Sequence, residues 1–420
     1  MEYNRIKSLI LRSLKEYNRI SMIERDLYIK KIKPFVNEPM IKVLTGIRRS
    51  GKSELIKMIR DELMHQGVPE SRIVYINFES LKWIDLLNSV ALYKYVSQKI
   101  STDGKTYIFL DEIQEVQDWE KTVNSFMADF DVDIYITGSN SRMLSSELST
   151  YLTGRYIEIP VFTLSLSEFM AFHSTDDVDK ALQRYVREGG FPSAHNSEHT
   201  EEEVYKIVSD IYASILLRDT IQRYNIRNID VLERLVGYLM INLGNIFSAK
   251  NVSAYLKNQH RKIDAETLYN YVRALESSYI IHRVNRYDLK GKEVLQTNEK
   301  FYFSDVSLLH SRFGYMPDMI AGYLENLVFL HLLRKDYKVY IGKLDTLEVD
   351  FVAVNGNDIS YVQVTYTLSD EATRLRELRP LEEIKDNHPK YIVVADKLQC
   401  GNINGIQCVW IGDFLRNDVR

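Results

Sequence analysis

Residues Gly46–Ser53 read GIRRSGKS and fit the spacing G-x-x-x-x-G-K-[ST]. Glycines at 46 and 51 let the backbone curl so that successive N–H groups face one point, at the positive end of the helix that follows. Such a cradle suits the oxygens of a triphosphate. Lys52 would reach the β- and γ-phosphates, and the Ser53 hydroxyl would be a ligand for Mg²⁺. The candidate nucleotide-binding stretch is therefore Gly46, Ile47, Arg48, Arg49, Ser50, Gly51, Lys52, Ser53 and Glu54. A second pattern, YIFLDEI, carries Asp111 and Glu112, with Asp111 59 residues beyond Lys52. An Asp at a strand end fits a place in the metal's shell, and an adjacent Glu can polarise the attacking water. In YITGSNS, Ser139 and Asn140 are candidates to touch the γ-phosphate or to position that water, although G-S-N is equally a turn signal. Arg142 and Arg155, the latter in LTGRY, are candidates for the cation that stabilises phosphoryl transfer, with Arg155 preferred.

These residues need strand ends and one helix start to hold them. MIKVLTG from Met40 reads as a strand running into the glycine turn, and KSELIKMIRDELMHQG as an amphipathic helix stopped at Gly67. Further strands are expected over Arg72–Glu79, Tyr107–Ile113 and Asp133–Ser139, with helices at Ala91–Ile100 and Trp119–Phe130 between them. That alternation predicts an α/β fold with a parallel, three-layer sheet. Residues 1–35 read as amphipathic helices, 36–163 as the P-loop core and 164–245 as a helical lid or connector. From 246 to 310, helix Ser248–Leu256, the turn NQHRKID, helix Ala265–Ser277 and two short strands follow the order of a winged helix. Residues 311–420 form a last α/β segment, with helix Ala321–Arg334, strands LEVDFVAV, ISYVQVTYTL and KYIVVAD, and a charged helix Ser369–Asn387.

Composition narrows the function. The chain has 420 residues, with Lys plus Arg 54 against Asp plus Glu 58, so its net charge of −4 gives no global attraction to nucleic acid. Two cysteines, Cys400 and Cys408, make neither a disulfide framework nor a zinc site, and suit a reducing compartment. No run reaches the roughly 18 apolar residues of a membrane span, and the first twenty residues lack the apolar core of a secretory signal. A cytoplasmic protein is expected, with no membrane partner. The nine histidines form no H-E-x-x-H or H-x-H pattern, so a core or surface place is the expectation for each.

The ordered set LTGIRRSGKS, LDEIQEV, TGSNSRML, LTGRY and VREGGFP resembles a bacterial and archaeal family of AAA-type P-loop ATPases. That family carries a winged-helix region and a C-terminal restriction-endonuclease-like domain of unknown function. YLENLVFLHLL, LEVDFVAV and YVQVTYTL are similar to its C-terminal part. The resemblance, which runs from about Ile23 to the end, implies ATP and Mg²⁺ as cofactors and adenine as the base, and admits a homo-oligomer.

Two further regions bear on partners. From Ile246 to Lys300 there are ten Lys and Arg against six Asp and Glu, whereas from Phe301 onward the count is 13 against 17. Lys257, Arg261, Lys262 and Arg273 flank the second helix of the winged-helix span, and Arg283, Arg286, Lys290 and Lys292 lie on its wing, which makes DNA a candidate partner. Against that, Asp264 and Glu266 begin the helix that would enter the groove. In the C-terminal segment, Glu325 and Asp350 resemble the acids of a restriction-endonuclease-like scaffold, and Glu348 projects from the same strand face as Asp350. Gln363 stands where a further acid belongs and Thr365 where a lysine belongs. Lys338 or Lys343 is a candidate substitute, and the expected domain is nuclease-like in fold but inactive. The leading expectation is an ATPase that moves its attached modules. The alternatives are an ATP-regulated, metal-dependent nuclease and a nucleotide switch that does not turn over.

Overall fold

A computed structural model of the chain describes residues 23–141, 154–258, 261 and 263–417. The expected helical span of residues 1–22, together with Arg142 and Lys262, lies outside them.

The first body is a parallel sheet built from β1 (Ile41–Thr45), β2 (Ile73–Asn77), β3 (Thr106–Asp111), β4 (Val132–Thr137) and β5 (Tyr156–Pro160), in the order β2-β3-β4-β1-β5. β1, β3 and β4 are buried at every position, as strands covered on both faces must be. Helix α1 (Asp26–Ile32) and α2 (Lys52–His65) cover Leu44, Phe109 and Tyr135 on one face. Helices α3 (Ser89–Ser97) and α4 (Trp119–Asp129) cover Val43, Ile108 and Ile134 on the other. The fold class is thus the expected α/β with a P-loop core. β5 was not expected. YIEIP carries a Glu in its middle and ends in Pro, which is tolerable because β5 is an edge strand paired only to β1.

The second body begins with α5 (Leu166–Phe172), α6 (Val178–Glu188) and α7 (Glu201–Ser214), each capped by a hydroxyl or carboxylate side chain. A π-helical stretch, Ile215–Gln222, continues α7, and α8 (Ile229–Ile241), α9 (Ala249–Asn258) and α10 (Ala265–Ser277) follow. A hairpin of β6 (Ile281–Asp288) and β7 (Glu293–Phe303) then leads into α11 (Ser307–Phe313) and α12 (Ile320–Arg334). The last strands are β8 (Lys338–Leu344), β9 (Leu347–Asn355), β10 (Asp358–Thr365), β11 (Lys390–Val394), β12 (Gly401–Ile403) and β13 (Ile406–Trp410), with α13 (Glu371–Glu383) between β10 and β11.

One difference from the expected layout matters. The hairpin does not stand apart as a wing but forms one edge of an eight-stranded sheet, β12-β13-β11-β10-β9-β8-β6-β7, with β6 running parallel to β8. The boundary expected at 310/311 is therefore crossed by a backbone ladder. One apolar cluster also spans Phe169, Leu235, Leu275, Phe303 and Phe351, so the connector, the helix pair and the last sheet share a core. Among the described residues no helix is long and apolar enough to cross a membrane.

Candidate functional site

β4 lies between β1 and β3, so the loop leaving β1 and the acid ending β3 meet across its tip. Parallel sheets place ligand crevices at such strand ends. Gly46 has φ 135°, and a Cβ there would stand 2.1 Å from the Val161 carbonyl oxygen. Gly51 has φ 97° and ends the curl just before α2. Both positions require glycine, for close approach at one and for backbone hand at the other.

Lys52 opens α2 and is buried, with its ammonium donating to the carbonyls of Gly46 (2.9 Å) and Ile47 (3.0 Å). Burial lowers its pKa, against the pull of Glu112, Asp111 and Asp219. Ser53 Oγ donates to Asp111 Oδ1 at 3.1 Å. The same oxygen accepts from Thr137 Oγ1 at 2.6 Å, while Oδ2 accepts from Tyr75 (3.2 Å) and Asn77 (3.1 Å). Burial raises the Asp111 pKa in spite of these donors, so a nearby positive charge would be welcome. Glu112 sits in the left-handed region at φ 54°, its N–H donating to Thr137 Oγ1 at 2.8 Å and its carboxylate accepting from Gln114. Ser50 and Ser139 hydroxyls are both buried without a partner, and Asn140 is buried beside Ser139.

Not every expected residue is aimed at this crevice. Ile47 packs into the apolar core of the second body, and Glu54 pairs with Lys57 at 2.7 Å. Arg48 turns from the crevice to Glu79 (3.0 Å) and to Asp219 (3.3 Å) on the π-helical stretch. These three contribute backbone to the loop while their side chains do other work. Arg155 is exposed and sits at the wrong end. It precedes Tyr156, which pairs with Ile41, whereas the phosphate loop follows the Thr45–Pro160 end of the ladder. Five residues of strand put it about 16 Å away, so this chain's own Arg155 does not complete this chain's crevice.

Sequence reasoning missed Arg25, which donates to the Ser50 carbonyl (2.7 Å) and pairs with Glu168 at 2.9 Å, so it ties the phosphate loop to the second body. It missed Asp219 as well. No motif marks either residue, because each makes its ion pair with a partner more than a hundred positions away.

The expected DNA face is largely self-neutralised. Arg261 pairs with Asp230 (2.6 Å), Arg283 with Glu276 (2.7 Å) and Lys290 with Asp345 (2.5 Å), while Asp264 caps α10 by accepting from Thr267 N–H. In the C-terminal sheet the cation among the acids is neither Lys338 nor Lys343. Lys343 lies 3.6 Å from Asp288. Lys300 on β7 stands 3.2 Å from Glu325, 2.8 Å from Glu348 and 4.0 Å from Asp350. Gln363 accepts from Asp350 N–H and donates to Glu377, and Thr365 donates to the Thr367 carbonyl.

Residues 38–170 match the model of an AAA domain, and residues 179–336 match a domain of unknown function (DUF8612). An uncharacterized protein of Haemophilus influenzae is 35% identical over 400 residues, which is 94% of this chain and 99% of that protein. An uncharacterized protein of Methanocaldococcus jannaschii is 30% identical over 398 residues, 90% of this chain and 86% of that one. Among solved structures, the Aeropyrum pernix ORC1 protein in complex with DNA aligns over 69% of this chain and 92% of its own, at 12% identity and TM-score 0.33. The chain belongs to one family with the Haemophilus influenzae and Methanocaldococcus jannaschii proteins, and its first body is an AAA-type P-loop domain.

Proposed function

We propose that the chain binds ATP with Mg²⁺ at the β1–α2 loop and hydrolyses it, and that the second body is moved by the difference between nucleotide states. The observation that carries this reading is the meeting of buried Lys52 and Asp111 with half-buried Ser53 at the tips of β1, β3 and β4. The oxygen-only donor set of Ser53 and Asp111, with a carboxyl pushed up by burial, suits a hard divalent cation. Such an ion, when bound, would neutralise charge on phosphate oxygens. Lys52 would exchange its own loop's carbonyls for phosphate oxygens, which removes the cost of holding a buried ammonium against neutral acceptors only. Glu112 would orient the attacking water, with Gln114 and Thr137 fixing its position. The buried hydroxyls of Ser50 and Ser139 are free to meet anionic oxygens.

Arg48 and Arg25 support the coupling. Both reach from the phosphate loop or its carbonyls to acids of the second body. A change of loop shape on loss of the γ-phosphate would be felt at Glu168 and at Asp219. Steady-state ATP turnover by the full chain tests the reading. Glu112→Gln should retain ATP binding and lose about 10²–10³-fold in turnover. A wild-type chain that binds ATP without turning it over would leave the non-hydrolysing switch in its place.

The nuclease alternative loses support at Gln363 and Thr365, which stand in place of an acid and a lysine and bond instead to Asp350 N–H, Glu377 and the Thr367 carbonyl. The single charge of Lys300 offsets only one of the three acids beside it. We infer a nuclease-like scaffold that does not cut, and plasmid nicking by the wild-type chain with Mg²⁺ or Mn²⁺ would overturn that. DNA as a partner rests on Lys257, Arg273 and Lys292, exposed residues beside cations that are already paired.

A further inference from the structure

VREGGFP, residues 186–192, ends α6 in a turn that the nucleotide chemistry does not use. Asp305 holds one side of it, accepting from Gly190 N–H at 2.9 Å, and a Cβ on Gly189 would stand 2.0 Å from the same carboxylate. On the other side, His173 at the end of α5, Glu188 at the end of α6 and His195 beyond the turn converge. One ligand atom of each lies within 4.8 Å of the others. His195 Nε2 lies 3.1 Å from the Gly189 carbonyl and must donate to it. That leaves a lone pair on Nδ1, which lies 3.8 Å from Glu188 Oε2. His173 Nε2 is buried without a partner, and its ring stands edge-on to His195, centroids 5.1 Å apart. Arg184 donates to both Glu188 oxygens, at 2.9 and 2.8 Å, and uses two of the carboxylate's four or so lone-pair positions.

A salt bridge does not account for the cluster. Burial lowers the His173 pKa and brings that of His195 to about 3, so at neutral pH neither ring is the cation that Glu188 would want. Two imidazole nitrogens and a carboxylate, with one ring fixed by a backbone carbonyl on its far nitrogen, form the ligand set and the outer support of a borderline-soft divalent ion.

We propose that His173, Glu188 and His195 bind one transition-metal ion, with Zn²⁺ the fitting case, which clamps the Gly189–Gly190 turn. The turn matters to the P-loop because Pro192, which follows it, lies 3.8 Å from where a Cβ on Gly51 would stand.

The test uses the full chain with any purification tag removed. It is treated with chelator, then titrated with Co²⁺ followed by visible absorption, and with Zn²⁺ in competition. One equivalent should bind with d–d bands of a low-coordinate site, and Zn²⁺ should raise Tm. His173→Gln and His195→Gln should each weaken Co²⁺ binding at least about a hundredfold, since loss of a ligand costs no less than loss of its outer support. Wild-type chain that takes up no stoichiometric Co²⁺ and shows no Zn²⁺ shift in Tm overturns the proposal. So does uptake that survives both substitutions. The wild-type arm decides even where a variant folds poorly.

Discussion

Two of the buried lysines, Lys52 and Lys300, lie near several carboxylates and differ in what the ammonium touches. Lys300 contacts its acids directly. Burial pulls its pKa down, but Glu325, Asp350 and Glu348 more than offset this, and the balance is raised. Lys52 donates only to loop carbonyls, with Glu112 and Asp111 near enough to attract it but not bonded to it, and burial wins. The lesson concerns function. Lys300 is a cation already satisfied by the acids it touches. Lys52 is held at a cost, which an arriving phosphate would relieve.

If that distinction is right, the largest effect belongs to Lys300→Met. It strands Glu325, Glu348 and Asp350 in a buried setting, and breaking a buried pair from one side costs about 3–5 kcal/mol. The denaturation midpoint should fall accordingly, while ATP turnover at permissive temperature stays near wild type. A variant as stable as wild type would mean that the acids were never paired in earnest. Next comes Lys52→Ala, which should lower ATP turnover about 10²–10³-fold with little loss of stability, because the group removed is one the fold holds unwillingly. Should this variant unfold instead, Lys52 would belong with Lys300 as a structural cation.

The P-loop side holds direct ion pairs too, among them Arg48 with Asp219 and the half-exposed Glu79. Asp219→Asn removes a charge-assisted bond that is buried at both ends and should cost about 1.5–3 kcal/mol by denaturant titration. It should also change ATP affinity, since Arg48 sits inside the phosphate loop. Unaltered affinity would confine Arg48 to a packing role and sever the proposed link to the second body.

How much of this could be read from the chain follows from the range of the interactions. Gly46, Gly51, Lys52 and Ser53 are neighbours in sequence, and apolar runs ending in Asp111 and Thr137 announce buried parallel strands, so the crevice at the strand tips was legible. Lys300 was not. Reading β6–β7 as a free wing left it as one charge in the basic stretch Ile246–Lys300, whereas β6 pairs with β8, and β7, paired to β6, carries Lys300 to the acids of α12 and β9. Arg155 failed for a related reason. A GR pair shows its type, but only the β1–β5 register shows that it stands at the far end of the sheet. His173 and His195, 22 positions apart, meet because α5 and the turn after α6 pack together, which no spacing motif encodes.

The smallest effect is also the most specific to the contrast between the two lysines. The Lys52 pKa in the folded chain lies below its ordinary 10.5, because burial outweighs the pull of Glu112 and Asp111. Over the interval between that lowered value and 10.5 its amine therefore gives up its proton where a solvated lysine would keep it. A phosphate ligand needs it protonated, and binding in that interval must take up one proton. ATP affinity should therefore fall as pH rises, by up to about tenfold, or 1.4 kcal/mol, per unit. Lys300 has the opposite sign. Its folded pKa is raised, so its contribution to stability is fully present below 10.5 and begins to fade only above it. Isothermal titration with ATP through the alkaline range, beside unfolding at the same pH values, separates the two. The expected outcome is affinity lost while the fold holds. In Lys52→Arg, whose guanidinium stays charged throughout, the affinity should lose its slope. A slope that persists in that variant would assign the proton to another group and remove the main electrostatic distinction between the two sites.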